Sequence, residues 1–201
     1  MSSKLKAICI LALILFVSGC TSAIKPDYNE TLNRWTRNAR IFHGLDAKLY
    51  VYATYKGTEF AGAYIDRYSS SFRLDEEYKK GLVERATHEA EMYNDFFLAV
   101  HTPDPSVNDL DKAGSIWRLY LETSSNERLN PIFINKADVK DPLLRDFFPY
   151  LDLWSSGYIV RFPKYSAEGT EPIPGKDTKL MRLVISGPLG HAALEWRFAD
   201  E

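Results

Sequence analysis

The chain has 201 residues, with 25 Lys and Arg against 27 Asp and Glu, a net charge of −2. No basic cluster stands out from that near-balance, which argues against nucleic acid as a partner. Beyond the first twenty residues no apolar run approaches the about 20 residues that a membrane-spanning helix needs, and the cysteines are two, Cys9 and Cys20.

Lys4 and Lys6 precede an apolar run from Ala7 to Val17, of signal-peptide length and too short to span a bilayer. The small residues Ser18 and Gly19 then lead to Cys20. An ordinary secretory signal ends in an A-x-A-like site and asks for no cysteine. The run Val17-Ser18-Gly19-Cys20 resembles the lipobox of bacterial lipoproteins. That resemblance implies removal of residues 1–19, a diacylglycerol on the Cys20 thiol, and usually an acyl chain on the new amino terminus. Each buried CH₂ contributes about 0.8 kcal/mol; one chain holds a protein marginally and two or three hold it firmly. Because Thr21 and not Asp follows the cysteine, the resemblance also implies the periplasmic face of the outer membrane in a host with two membranes. Cys9 leaves with the signal and Cys20 is consumed, so no thiol remains for a disulfide, a nucleophile or a metal. Residues 20–28 read as a short tether containing Pro26, and 29–201 as one domain.

Within that domain, Asn29–Asn38 reads as one or two helical turns, with Leu32 and Trp35 capping the core. Leu49, Val51, Ala53 and Tyr55 alternate with Lys48, Tyr50, Tyr52 and Thr54, the period of a strand. The period then lengthens. Phe60, Tyr64 and Tyr68 recur at four-residue steps, and Tyr78, Leu82, Ala86, Ala90 and Tyr93 form a similar stripe. Asp75, Glu76 and Glu77 place negative charge where a helix begins. Two helices are predicted, about 58–70 and 75–94, with Gly81 a weak point in the second. From Asp95 the signals are short strands: FFLAVHT, SIWRLYLET, NPIFINKAD, SGYIVRFPK, KLMRLVISG and HAALEWRFA, the last two joined by a GPLG hairpin. With Ala47–Tyr55 they make about seven strands, a mainly β chain. Their spacing suggests an antiparallel sandwich resembling an immunoglobulin-like fold, without the Cys-Trp-Cys hallmark, and with the helices inserted after the first core strand at about 58–94.

No catalytic pattern stands out. His43, His88, His101 and His191 form no zinc-ligand pair. Ser115, Ser155 and Ser156 lack a nucleophile elbow, and no glycine loop fits a phosphate site. The loop after His101 holds Asp104, Asn108, Asp109 and Asp111. Four oxygen donors so close together suit Ca²⁺, although the spacing is not that of an EF-hand and Asx residues are ordinary turn formers. Arg145–Tyr158 packs Phe147, Phe148, Tyr150, Leu151, Leu153 and Trp154 beside Pro, Ser and Gly. One reading is a plug at the end of the sandwich. The other is a partner surface centred on Tyr150, Leu151 and Trp154, since aromatics are enriched at interface hot spots.

Taken together the pattern resembles bacterial lipoproteins that carry an immunoglobulin-like domain. It predicts a non-enzymatic envelope module, anchored through Cys20, that binds another envelope or exported protein. No cofactor is implied. The alternatives are a metal-dependent or enzymatic activity at the His101–Asp111 loop, and glycan binding through Tyr and Trp faces.

Overall fold

The computed structural model describes residues 27–123, 127–166, 169, 171–176 and 178–198. Cys20 and the whole 1–19 segment, with the tether up to residue 26, lie outside them. Asp27 opens the described chain by accepting a hydrogen bond from the Tyr28 amide at 2.8 Å, and helix α1 (Tyr28–Trp35) follows. A side-chain acceptor at this position satisfies one of the amides that a helix start leaves without an intrahelical partner. Tyr28, expected to end the tether, is buried: its ring meets Phe147 at 5.4 Å and its hydroxyl donates to the Phe147 carbonyl at 2.7 Å.

Strand β1 (Thr36–His43) leaves α1 directly and turns into β2 (Asp46–Tyr55). Helices α2 (Thr58–Phe72) and α3 (Glu76–Met92) come next, then β3 (Tyr93–His101), β4 (Arg118–Thr123), the two-residue β5 (Arg128–Leu129) and β6 (Phe133–Ala137). Helix α4 (Pro142–Phe147) precedes β7 (Ser156–Pro163), β8 (Leu180–Gly187) and β9 (Gly190–Arg197). The chain is mainly β. The described residues form two antiparallel sheets, β1-β2-β3-β7-β6 and β5-β4-β8-β9. This gives nine strands among the described residues where seven were predicted, and β1, β5 and α4 are the additions. In an immunoglobulin domain the second and third strands lie in different sheets; here β1, β2 and β3 stay in one. That strand order differs from the immunoglobulin arrangement predicted from spacing, because spacing reports strands and not their pairing.

The inner faces of the two sheets share one core. Leu49, Val51, Ala53 and Tyr55 of β2, Phe96, Leu98 and Val100 of β3, and Val160 and Phe162 of β7 meet Leu121, Leu183, Ile185, Leu194 and Trp196 from the other sheet. The outer face of the five-stranded sheet is covered too. Phe97 and Ala99 pack against Tyr28 and Leu32 of α1, Phe60 and Ala63 of α2, and Phe147, Phe148 and Leu151 of α4 and the residues after it. Strand β3 is therefore buried on both faces, which explains why it reads as the continuous run FFLAV and not as an alternation.

The four-residue stripe of α2 faces this second core, with Tyr64 against Phe147 at 4.4 Å between ring centres. Helix α3 buries no residue. It is held by polar contacts: Asp75 accepts from the Tyr78 amide at 2.7 Å, Lys79 pairs with Asp66 of α2 at 2.9 Å, and Glu89 pairs with Arg161 of β7 at 3.0 Å. It ends at Met92, two residues before the predicted boundary, because Tyr93 and Asn94 already pair with β7.

Candidate functional site

The helical layer stops short of one end of the five-stranded sheet, and a cavity of about 390 Å³ opens there. Its floor is dictated by strand parity. Val51 and Val100 point into the core, so their neighbours Tyr50, Tyr52, Ala99 and His101 point outward. Antiparallel pairing sets Tyr50 opposite His101 and Tyr52 opposite Ala99. The opposite wall comes from the residues after α4. Tyr150 stacks on Tyr52, with ring centres 5.3 Å apart and planes 15° from parallel, and its hydroxyl lies 2.6 Å from Thr54 Oγ1. Burial pushes the Tyr150 hydroxyl up, so it keeps its proton at neutral pH.

Beyond Tyr150 the chain turns on Asp152. Its Oδ1 accepts from the Trp154 amide at 2.9 Å and the Ser155 amide at 2.8 Å. The Trp154 carbonyl lies 3.2 Å from His101 Nδ1. Three contacts thus fix the backbone of a turn whose side chains face water: Leu153 is 74% exposed and Trp154 78%. Burial works to raise the Asp152 carboxyl, but hydrogen bonds from Ser155 and the Trp154 amide, with His101 nearby, outweigh it and hold the group below its ordinary value. A carboxyl lowered by folding contributes stability above its unfolded value of about 3.9, and that contribution is lost as pH falls through the folded value. The fluorescence of Trp154 is therefore expected to be flat from pH 8 to pH 5 and to change only below about pH 4. In Asp152→Asn the acid transition at Trp154 should vanish. An acid transition retained in Asp152→Asn would overturn this assignment.

His101, Asp152 and Ser155 meet here, but not in the order of a nucleophilic relay. Among the described residues no hydrogen bond joins Ser155 to His101 or His101 to Asp152; Asp152 Oδ1 is taken by the Trp154 and Ser155 amides. What the cavity offers is ring faces, the hydroxyls of three tyrosines and Ser155, an imidazole and a carboxylate around a largely preformed concavity, the composition of a binding pocket.

The other predicted site residues scatter. Leu151 is buried in the second core and is not a partner contact. Tyr150 is half-buried, with its ring on the cavity wall, and Trp154 is exposed at the rim. The loop acids do not converge. Asp104 caps a 3-10 turn (Pro105–Val107) through the Ser106 amide at 2.9 Å. Asn108 is buried, donating to the Val100 carbonyl at 2.9 Å and accepting from the Tyr158 hydroxyl at 2.9 Å. Asp109 has a buried side-chain oxygen without a hydrogen-bond partner among the described residues, and Asp111 is exposed. Among the described residues no group of three or more His, Cys, Asp and Glu side chains is placed to hold a metal ion, because Asp104 and Asn108 do turn and bridging work instead. Sequence reasoning does not mark Tyr50, Tyr52 or Asp152 as site residues, and it weighs Ser155 only as a nucleophile that lacks an elbow. The signal for the tyrosines was present, two aromatics on the outward parity of a strand; Asp152 and Ser155 carried none.

No protein-family model matches the chain, and no curated protein matches it. Among solved structures, the chain is similar to a novel protein of unknown function from Burkholderia pseudomallei K96243, at 13% identity and a TM-score of 0.43, over 86% of this chain and 82% of that one. Among the described residues no helix is long and apolar enough to cross a membrane.

Proposed function

We propose that this chain is a lipid-anchored envelope protein whose folded part is a non-enzymatic binding module, and that the Tyr50–Ser155 cavity with its Leu153–Trp154 rim is the binding face. The observation that carries the reading is Trp154: a large aromatic held in water on a backbone fixed by Asp152 and His101. Leaving such a side chain exposed forgoes about 1.5–3 kcal/mol of burial, and a pre-ordered aromatic gives contact area at low entropic cost, which is why tryptophan dominates hot spots. The anchor rests on the lipobox resemblance. Six residues lie between Cys20 and Asp27, a span of seven Cα steps, so the domain would stand at most about 25 Å from the lipid. The periplasmic face of the outer membrane remains the proposed location. The immunoglobulin-like assignment is the finer fold reading: two antiparallel sheets around a shared core support it, and their strand order does not.

Trp154→Ala tests the face. Its denaturant midpoint should correspond to a change within about 0.5 kcal/mol, while recovery of the crosslinked partner from native membranes should fall at least tenfold, the scale of a hot spot worth about 2 kcal/mol. Recovery of the chain alone at stoichiometric yield, from both forms, would reject the module. Cys20→Ser tests the anchor separately: acyl labelling should vanish and the protein should appear uncleaved or in the soluble fraction. Retained labelling would sink it. Glycan binding is the second reading, favoured by the outward ring faces of Tyr50 and Tyr52 beside Asp152. Saturable quenching of Trp154 by an oligosaccharide, with no protein partner recovered, would select it.

A further inference from the structure

A larger cavity, about 780 Å³, lies toward the other end of β2, where β1, β9, Pro174–Lys176 and Thr178 meet. Among the described residues it shares no lining residue with the first. Its apolar wall is Trp35 and Phe198, with ring centres 6.1 Å apart. Around them stand Arg34, Arg37, Lys176 and Arg197, with Glu59 the acid among the described lining residues.

These charges do not cancel. Both oxygens of Glu59 are engaged, Oε1 by Arg34 at 2.7 Å and Oε2 by the Trp35 indole N–H at 2.9 Å. Arg197 pairs with Glu195 at 3.1 Å, which Arg182 shares at 2.8 Å. Arg37 is different. Its Nε donates to the Glu195 carbonyl at 2.8 Å, and its Nη1 to the carbonyls of Arg34 at 2.7 Å and Thr36 at 2.8 Å. Among the described residues no carboxylate answers it, and its Nη2 has no partner. Burial lowers the guanidinium pKa, the sign of a cation incompletely solvated where it sits. Three carbonyl bonds hold it there. Lys176 is exposed at the rim, with no ion pair among the described residues. A fixed, half-buried guanidinium with a free donor and no carboxylate partner among the described residues is the arrangement that an oxyanion completes, and charge-assisted bonds of this kind are about twice as strong as neutral ones.

We propose that this cavity is an anion site: a carboxylate or phosphate accepts from Arg37 Nη2 and Lys176 Nζ, and the apolar or ring-shaped body that carries it lies against Trp35 and Phe198. The site is independent of the Trp154 face and would persist if that reading failed.

The test uses the full chain in detergent, labelled so that the arginine Nε–H and tryptophan indole N–H signals are resolved. Phenyl phosphate, benzoate and benzyl alcohol are the probes. Phenyl phosphate or benzoate should shift the Trp35 and Arg37 signals saturably and leave the Trp154 signal in place, while benzyl alcohol at equal concentration should not. Whichever anion saturates first names the headgroup. Arg37→Gln should weaken the binding about tenfold, equivalent to ~1.4 kcal/mol, and Lys176→Ala several-fold. Because Arg37 also ties β1 to β9, its variant is read only if its melting temperature is retained. If it is not, Lys176→Ala decides, and unchanged affinity there overturns the proposal. Equal shifts from benzyl alcohol, no saturation by either anion, or a shift of Trp154 in place of Trp35 would each overturn it as well.

Discussion

Trp196→Ala is expected to remove about 3–5 kcal/mol of folding stability, out of the about 5–15 kcal/mol that a domain possesses. Trp196 is fully buried on the inner face of β9. Its ring meets Phe96 at 5.3 Å and Tyr55 at 6.4 Å, both on the opposite sheet, so it is one of the side chains through which the two layers touch. Its indole N–H donates to the Trp35 carbonyl at 2.8 Å. Truncation would open a void spanning both sheets and leave that carbonyl without its donor. The same substitution at Trp154 supplies the control, since residue and chemistry are identical and only the surroundings differ. Urea midpoints at unchanged slope would measure both. A loss at Trp196 below about 1 kcal/mol, or one equal to that at Trp154, would show that the sheets are not held across this contact.

The elements legible in the sequence are those whose neighbours impose a period. Leu49, Val51, Ala53 and Tyr55 alternate because one face of β2 meets the core and the other meets helices and water. The stripe Phe60, Tyr64 and Tyr68 repeats because α2 turns one face to Phe147 and Phe148. Strand β1 had no such signature. It is an edge strand whose buried residue is Ile41, with Arg37, Asn38 and Arg40 between, and edge strands carry charges for that reason. Strand β5 is too short to show a period. Helix α4 has a start signal, Asp141 capping the Leu143 amide at 2.9 Å and Pro142 in the first turn, but its 6 residues are too few to show a helical period. Sheet order was illegible for a different cause. Strand β3 pairs with β7, Phe97 opposite Ile159, and nothing local to either strand specifies a partner so far along the chain. The site divides the same way. Tyr50 and Tyr52 could be placed on an outward face from parity alone, whereas Tyr150, Asp152 and Ser155 come to them through the path of α4, which only the tertiary fold fixes.

Asn94→Ala is expected to lose about 2–4 kcal/mol, a large effect for the removal of one small polar side chain. The sequence places Asn94 at the last turn of a helix, where it would be solvated. In the fold it is the second residue of β3 and fully buried. Its Oδ1 accepts from the Tyr55 hydroxyl at 3.0 Å and lies 3.4 Å from Lys164 Nζ. Its Nδ2 donates to the carbonyls of Ile173 at 2.7 Å and Pro163 at 3.1 Å. One amide therefore joins β2, β3, the end of β7 and the segment that carries Lys176. Alanine would strand the buried Tyr55 hydroxyl and the Ile173 carbonyl, and each buried polar group left unpaired costs about 1–3 kcal/mol. Burial also pushes the Tyr55 hydroxyl up, so ionisation offers it no escape at neutral pH. A double-mutant cycle with Tyr55→Phe isolates the bond. Removing the hydroxyl removes one of the two stranded groups, so Tyr55→Phe combined with Asn94→Ala should cost less than the two single losses added, by about 1 kcal/mol or more. Strict additivity, within about 0.3 kcal/mol, would mean that the Tyr55 hydroxyl does not depend on Asn94 and that the loss comes from the Ile173 side alone.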